Sequence, residues 1–298
     1  MKSAAIDVHL QGRAFPTLDG IQAVGRVIGK HWVGTLGMFI VLVVIAVGVF
    51  APHFAPYLPD EQLGARLDSP SPQFSLGTDE FGRDVLSRII CGARISLYVG
   101  VVSVSISLVF GGSLGMIAAF FGGRVDSAIM RCMDLLFSIP SLVLALVITG
   151  TLGPSLTNAM LAIGIVYTPR FARVARGPTL SIMQQPYVEA ARSIGAGHLR
   201  IMLRHVLPNI LASLIVQSTL AFSTAILTEA SLSFLGLGTQ PPDPSWGTML
   251  GTGRKFMEFA PWVAVFPGLA IMIAVLGFNL LGDGLRDFFD PRIRRRAQ

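Results

Sequence analysis

The sequence predicts an all-α membrane protein with six transmembrane helices, and three observations carry that prediction. Of 298 residues, 52% are hydrophobic and 13% charged, whereas a soluble domain carries about 25% charged residues. Apolar runs recur at close to the length a bilayer crossing needs, about 20 residues. Basic residues crowd into alternate connecting segments, as the positive-inside rule requires of a multi-span chain.

The spans read in order as 33–50, 97–121, 135–152, 159–170, 210–235 and 261–281. The first ends at Pro52. The third extends back toward Ala128, and the fourth is short and follows the Gly153-Pro154 turn. Six spans put both termini on one side. With that side cytoplasmic, the inside segments hold 17 Lys and Arg residues and the outside segments 6. The chain then divides into a cytoplasmic segment 1–32, a first span 33–52, an extracytoplasmic loop 53–95, a core 96–283 containing a cytoplasmic loop at about 177–208, and a basic cytoplasmic tail 284–298. About thirty mostly polar residues precede the first run, more than a cleavable leader carries, so that run is expected to be a retained signal anchor.

The net charge is +6. In a soluble chain such a balance would point to nucleic acid; here topology accounts for it, and no nucleic-acid partner is expected. Cys91 and Cys132 are too few for a disulfide framework and read as packing residues. Trp246 and Trp262 suit the outer headgroup level. Asp134 lies three residues after Arg131, and Asp283 three before Arg286, spacings that suit local ion pairs.

No catalytic arrangement emerges. A phosphate-cradling loop needs Gly-x-x-x-x-Gly-Lys-Ser/Thr, but Gly29-Lys30 is followed by His31, and neither Lys2 nor Lys255 fits. His9, His31, His53, His198 and His205 are scattered, so neither a metal nor a cofactor site is expected in this chain. Energy for transport must then come from elsewhere.

The polar segment 187–209, YVEAARSIGAGHLRIMLRHVLPN, lies between two apolar spans. Pro178 and Pro186 bound the approach from the fourth span, and a helix can start after Pro186. Val188, Ala191 and Gly195 form a stripe that would let another surface approach closely, and Gly195 and Gly197 permit a turn. In the helix that follows, Leu199, Met202, Leu203 and Val206 make an apolar face. An amphipathic linker lying on the headgroups has the same pattern. Elsewhere, Gln217, Thr224 and Thr228 share one face of the fifth span with Glu229 near its outer end; they line a translocation path or pack between helices. Asp79, Arg83, Asp84 and Arg88 form an alternating charged run outside, either a solvated helix face or a docking surface.

Glu189-Ala190-Ala191, Gly195 four residues on, and Leu207-Pro208 twelve residues after the glycine resemble the EAA loop of ABC-importer permeases. His205 stands where the family pattern has isoleucine. Segments 76–97, 234–250 and 278–292 (LGTDEFGRDVLSRIICGARISL, FLGLGTQPPDPSWGTML and FNLLGDGLRDFFDPR) are similar to the C-type permease of dipeptide/oligopeptide importers, so that the resemblance covers about residues 20–292. It implies a type I importer fold in the bacterial cytoplasmic membrane, and a second homologous permease subunit. It further implies two cytoplasmic ABC ATPase subunits that hold the ATP and Mg, and an extracytoplasmic substrate-binding protein. Glu189, Ala190, Ala191, Gly195, Leu207 and Pro208 would couple the chain to the ATPases, and Asp79, Arg83, Asp84 and Arg88 would meet the binding protein. The same pattern serves peptides, glutathione, nickel complexes, opines and sugar conjugates. An ion-coupled secondary transporter is the rival of another class, but it calls for internal repeats or charged midplane helices, and the sequence carries neither. A membrane scaffold or exporter half is a second rival; a full exporter would carry its phosphate-binding loop in the same chain or keep long cytoplasmic helices, which are lacking.

Overall fold

The structure is a computed structural model and describes residues 32–289. The signal-anchor flank, the final Asp-Pro-Arg and the basic tail fall outside these residues, apart from 284–289. The described residues form helices α1 (Trp32–Val49), α2 (Ala51–Phe54), α3 (Val85–Phe121), α4 (Gly123–Phe137), α5 (Ser141–Leu152) and α6 (Leu156–Met183). There follow α7 (Pro186–Ser193), α8 (His198–Ile201), α9 (Leu207–Phe234), α10 (Trp246–Gly253) and α11 (Trp262–Phe289). A π-helical turn, Met202–Val206, joins α8 to α9. Among the described residues no strand forms, only isolated bridges Gln62–Arg83 and Thr78–Asp84.

Four helical stretches are long and apolar enough to cross a bilayer: α1, α3, the run from α8 through α9, and α11. The expected third span is not one helix. It breaks between α4 and α5, which meet at 87°. The cause is Pro140: proline drives the residue before it out of the helical region, and α5 restarts just after it. The fourth expected span is a piece of α6, which runs through Pro169 and Pro178 for 28 residues, about 42 Å. Pro178 therefore does not bound it. The second span also starts earlier than expected. Asp84 caps α3, its carboxylate accepting from the Ser87 backbone N–H at 2.8 Å, so 85–95 is helix rather than loop.

Close packing rests on small residues. α3 packs most extensively on α6. The Ser103 hydroxyl donates to the Met160 carbonyl at 3.1 Å and the Ser107 hydroxyl to the Gly164 carbonyl at 2.8 Å. A Cβ on Gly115 would fall onto the Ala172 carbonyl. Without water in lipid, such backbone proximity and interhelical hydrogen bonds replace the hydrophobic effect as the glue between helices. α1 meets α11 the same way, where a Cβ on Gly34 would lie 2.8 Å from the Gly284 Cα.

One core runs through α3, α5, α6 and α9 around Ile163, Phe171 and Ile210; a second joins α1, α3, α9, α10 and α11 around Ile226 and Trp246. Trp246 is buried and its indole N–H donates to the Ile89 carbonyl at 2.9 Å, so it is a core staple and not a headgroup anchor. Cys132 is exposed, so it is not packed within this chain; Cys91 is half-buried. Asp134 pairs across helices with Arg173 at 2.7 Å instead of locally with Arg131. Beside it, Asp126 takes a two-pronged grip from Arg176, both bonds 2.6 Å. These two pairs tie α4 to α6.

Candidate functional site

At one end of the molecule the segment 186–208 forms the helix–bend–helix expected from its glycines. Pro186 supplies the first turn of α7, where its missing N–H costs nothing. Gly195 ends the helix at φ +80°, a conformation other residues resist. Its N–H reaches the Arg192 carbonyl at 2.9 Å and the Ala196 N–H reaches that of Ala191 at 3.0 Å. This pair of bonds is the Schellman closure of a helix. No atom lies within 4 Å of where a Cβ on Gly195 would stand.

The two faces of the unit divide differently from the expectation. Val188 and Ala191 are buried in the chain's own core, while Glu189, Ala190 and Gly195 are exposed. Two members of the expected stripe, Val188 and Ala191, therefore anchor the unit, while the third, Gly195, lies on the open side with Glu189 and Ala190. In the second half, Leu199 and Leu203 are exposed, and Ile201, Val206 and Ile210 are buried. The π turn explains this. Its i→i+5 bonding inserts a residue, so the buried positions step by five and then four. Leu207 is half-buried and Pro208 exposed at the start of α9. The unit contacts its neighbours through rings. His198 sits edge-on to Phe120 at 5.4 Å and to Phe121 at 5.7 Å, at the end of α3. The Arg192 guanidinium lies over Phe120 at 5.8 Å, and Tyr187 faces His205 at 6.1 Å.

The polar face of α9 turns into the chain. The Thr228 hydroxyl and Tyr167 hydroxyl share a hydrogen bond of 2.8 Å, and Thr224 offers its carbonyl to the same Tyr167 at 3.5 Å. Gln217 is buried. Glu229 is 0% exposed. Its Oε1 accepts from the Ser233 hydroxyl at 2.6 Å and the Thr239 hydroxyl at 3.3 Å, while the Thr239 backbone N–H donates to the Ser233 hydroxyl at 3.0 Å. Within this chain Glu229 thus fastens the loop after α9 and does not line an open surface.

The charged run at the opposite end is not a solvated helix face. Asp79 and Asp84 are buried, as is Arg88. Asp79 Oδ1 accepts from the backbone N–H of Phe81 and of Arg83, at 2.9 and 3.0 Å. Its Oδ2 takes Arg83 Nε at 2.7 Å and Arg88 Nε at 3.5 Å. Arg88 also donates to the Pro59 carbonyl at 2.7 Å. Asp84 is spent capping α3. These four residues fold residues 57–88 onto the helix, and Asp79, Arg83 and Arg88 line one wall of a cleft of about 390 Å³ closed on the other side by Pro241, Pro242, Asp243 and α10.

Residues 111–295 match the family described as binding-protein-dependent transport system inner membrane component. The chain belongs to this family. It is 48% identical over 275 residues to the di/tripeptide transport system permease DppC of Pseudomonas aeruginosa, covering 90% of this chain and 91% of that one. It is 45% identical to the dipeptide permease DppC of Haemophilus influenzae, covering 87% and 90%. It is also 45% identical to the glutathione permease GsiD of Escherichia coli, covering 89% and 88%. An inward-facing structure of the MetNI methionine ABC transporter matches with a TM-score of 0.55 at 19% identity, covering 71% of this chain and 96% of that one. The fold is that of a type I importer permease, and an ion-coupled carrier is set aside.

Within this family the sequence pattern located the 186–208 unit, but it did not reveal the contact of His198 with Phe120 that supports it, nor that of Tyr167 with Thr228 of α9. No spacing signals a contact between a ring at the end of one span and a histidine nearly eighty residues on. The polar periodicity of α9 was visible, but not which neighbour it faces.

Proposed function

We propose that this chain is the membrane-spanning permease subunit of an ATP-driven importer of di- and tripeptides in the bacterial cytoplasmic membrane, with its termini cytoplasmic. The observation that carries the reading is 48% identity along nine-tenths of the chain to a di/tripeptide permease, joined to the helix–bend–helix at 186–208. Its partners are a second homologous permease, two ABC ATPases holding ATP and Mg, and an extracytoplasmic binding protein. Glu189, Ala190 and Gly195 present the open face that an ATPase grips, and Leu207 and Pro208 begin the helix that follows. Closure of the two ATPases draws these units together, and the helices pass the motion to the opposite end, which gives alternating access. On this reading Gln217, Thr224, Thr228 and Glu229 hold helices in register beside the path.

Glutathione is the second reading, favoured by the relatives of that name at similar identity. Both are tested by uptake into proteoliposomes of the reconstituted complex. Labelled dialanine accumulating only with ATP and binding protein supports the first. Accumulation of glutathione and not dialanine supports the second, and accumulation of neither overturns both.

A further inference from the structure

α4 is an arm hinged at both ends. It leaves α3 through Gly122 and Gly123, at φ +64° and +51°, with open space where either Cβ would stand. It ends at Ser138, just before Pro140 and the 87° bend into α5. Of its 15 residues only Met133 is buried. An element with so few buried contacts is held weakly by packing and moves at low cost. What holds it is charge. Arg176 grips both oxygens of Asp126, and Arg173 takes Asp134. The Arg173 guanidinium also lies over the Phe137 ring at 4.2 Å. The two arginines stand within one turn of α6, whereas the two aspartates are more than two turns apart on α4. A single level of α6 thus holds the length of the arm. Beyond that level α6 runs on to Met183, and only Gln184 and Gln185 separate it from α7. Partly exposed ion pairs add little to stability, but the forked grip of Arg176 fixes direction as well as distance.

We infer that Asp126, Asp134, Arg173 and Arg176 are positioning residues for transport: they bind α4 to the half of α6 nearer the 186–208 unit, so that displacement of that unit bends the elbow at Pro140. The inference rests on the proposed importer reading, which supplies the force on the unit. Two prolines set where the bend falls. The far end of α6 is fixed to α5, with Asn158 Nδ2 donating to the carbonyls of Leu152 and Gly153 at 3.0 and 2.9 Å. The level that holds α4 lies beyond Pro169, which stands inside α6 and cannot donate to its ladder, so the helix is weakest there. When the near half of α6 swings about Pro169, α4 swings with it and α5 does not, and the angle at Pro140 changes. With the ion pairs gone, the arm keeps its hinges and loses its drive.

The test uses the complete transporter in nanodiscs. Spin labels are placed on Cys132, which is exposed on α4, and on α5 through Thr151→Cys, with Cys91→Ala and the other subunits free of cysteine. A non-hydrolysable ATP analogue is expected to shift the distance between the labels. Asp126→Asn with Asp134→Asn keeps the shape and removes the charge. It is expected to abolish the shift and to lower dialanine transported per ATP hydrolysed about fivefold, the size of effect that loss of a coupling contact produces. A merely structural role would lower the amount of assembled complex and leave that ratio unchanged. Asp126→Arg alone is expected to impair the ratio, and adding Arg176→Asp to recover most of it by exchanging the charges. Should the double variant fail to assemble, Asp134→Asn alone, at an exposed pair, and the exchanged pair carry the test. Labels that do not move in the parent chain, a shift that survives neutralisation, or an unchanged ratio overturns the inference. A parent complex whose labels move but which takes up no dialanine refutes the substrate reading and leaves the elbow result standing.

Discussion

The two ends of the molecule use glycine for opposite purposes. At the 186–208 end, Gly195 and Gly197 have empty space where a side chain would go; Gly195 is there for its dihedral. At the other end, a Cβ on Gly92 would lie 2.9 Å from the Trp246 ring, and one on Gly82 would meet the Gly64 carbonyl. There the glycines allow close approach. One end is a shape held out toward something outside the chain, and the other is a body locked by its own contacts. Evidence for the difference extends to charge. Arg192, Arg200 and Arg204 are exposed, whereas Asp79, Asp84 and Arg88 are consumed internally.

Substitutions can break this contrast, in falling order of effect. Gly82→Ala combines φ +76° with a blocked Cβ and should cost about 3 kcal/mol or more; little folded protein should survive detergent extraction and size-exclusion chromatography. Gly195→Pro demands a φ that proline cannot adopt and deletes the N–H bonded to Arg192. Uptake should fall to background while membrane insertion, read by protease protection, stays intact; normal uptake would refute the lever. Glu229→Ala strands the Ser233 and Thr239 hydroxyls and should lower stability by about 2 kcal/mol, visible as a drop in thermal midpoint. Glu229→Gln keeps the Oε1 acceptor and should retain most uptake; its loss would restore a direct substrate role. Gly195→Ala is strained only by its dihedral, about 1 kcal/mol, and should slow ATP-driven uptake a few-fold without changing the amount of folded protein.

The sequence revealed most where chemistry is local. Hydropathy found the helices, and the spacing of Glu189, Gly195 and Pro208 found the helix–bend–helix unit. It was less informative where tertiary partners decide. Asp134 had a plausible partner three residues away and takes Arg173 from another helix. The run 79–88 has the alternation of a surface and is largely buried, because Asp79 collects two backbone N–H groups and two arginines. Hydropathy also registers a continuous apolar run across Pro140 and cannot see the right angle there. The phase change at Met202–Val206 is invisible to any fixed period, since one extra residue per turn looks like ordinary helix until its buried side is known.

α3 spans 37 residues without a break, about 55 Å, while the hydrocarbon layer is about 30 Å thick. It therefore projects past the lipid at one or both faces. His198 leans on its last residues; Asp84 caps its start, and Arg88 in its first turn lines the cleft. A rod so proportioned is a beam pivoting in a slab. Tilting it by about 10° about its middle swings each tip about 5 Å in opposite senses, by the length alone. Whatever displaces the 186–208 unit sideways would thus swing the far tip the other way, carrying α10 with it through the Trp246 staple, with no bond along the beam needing to break.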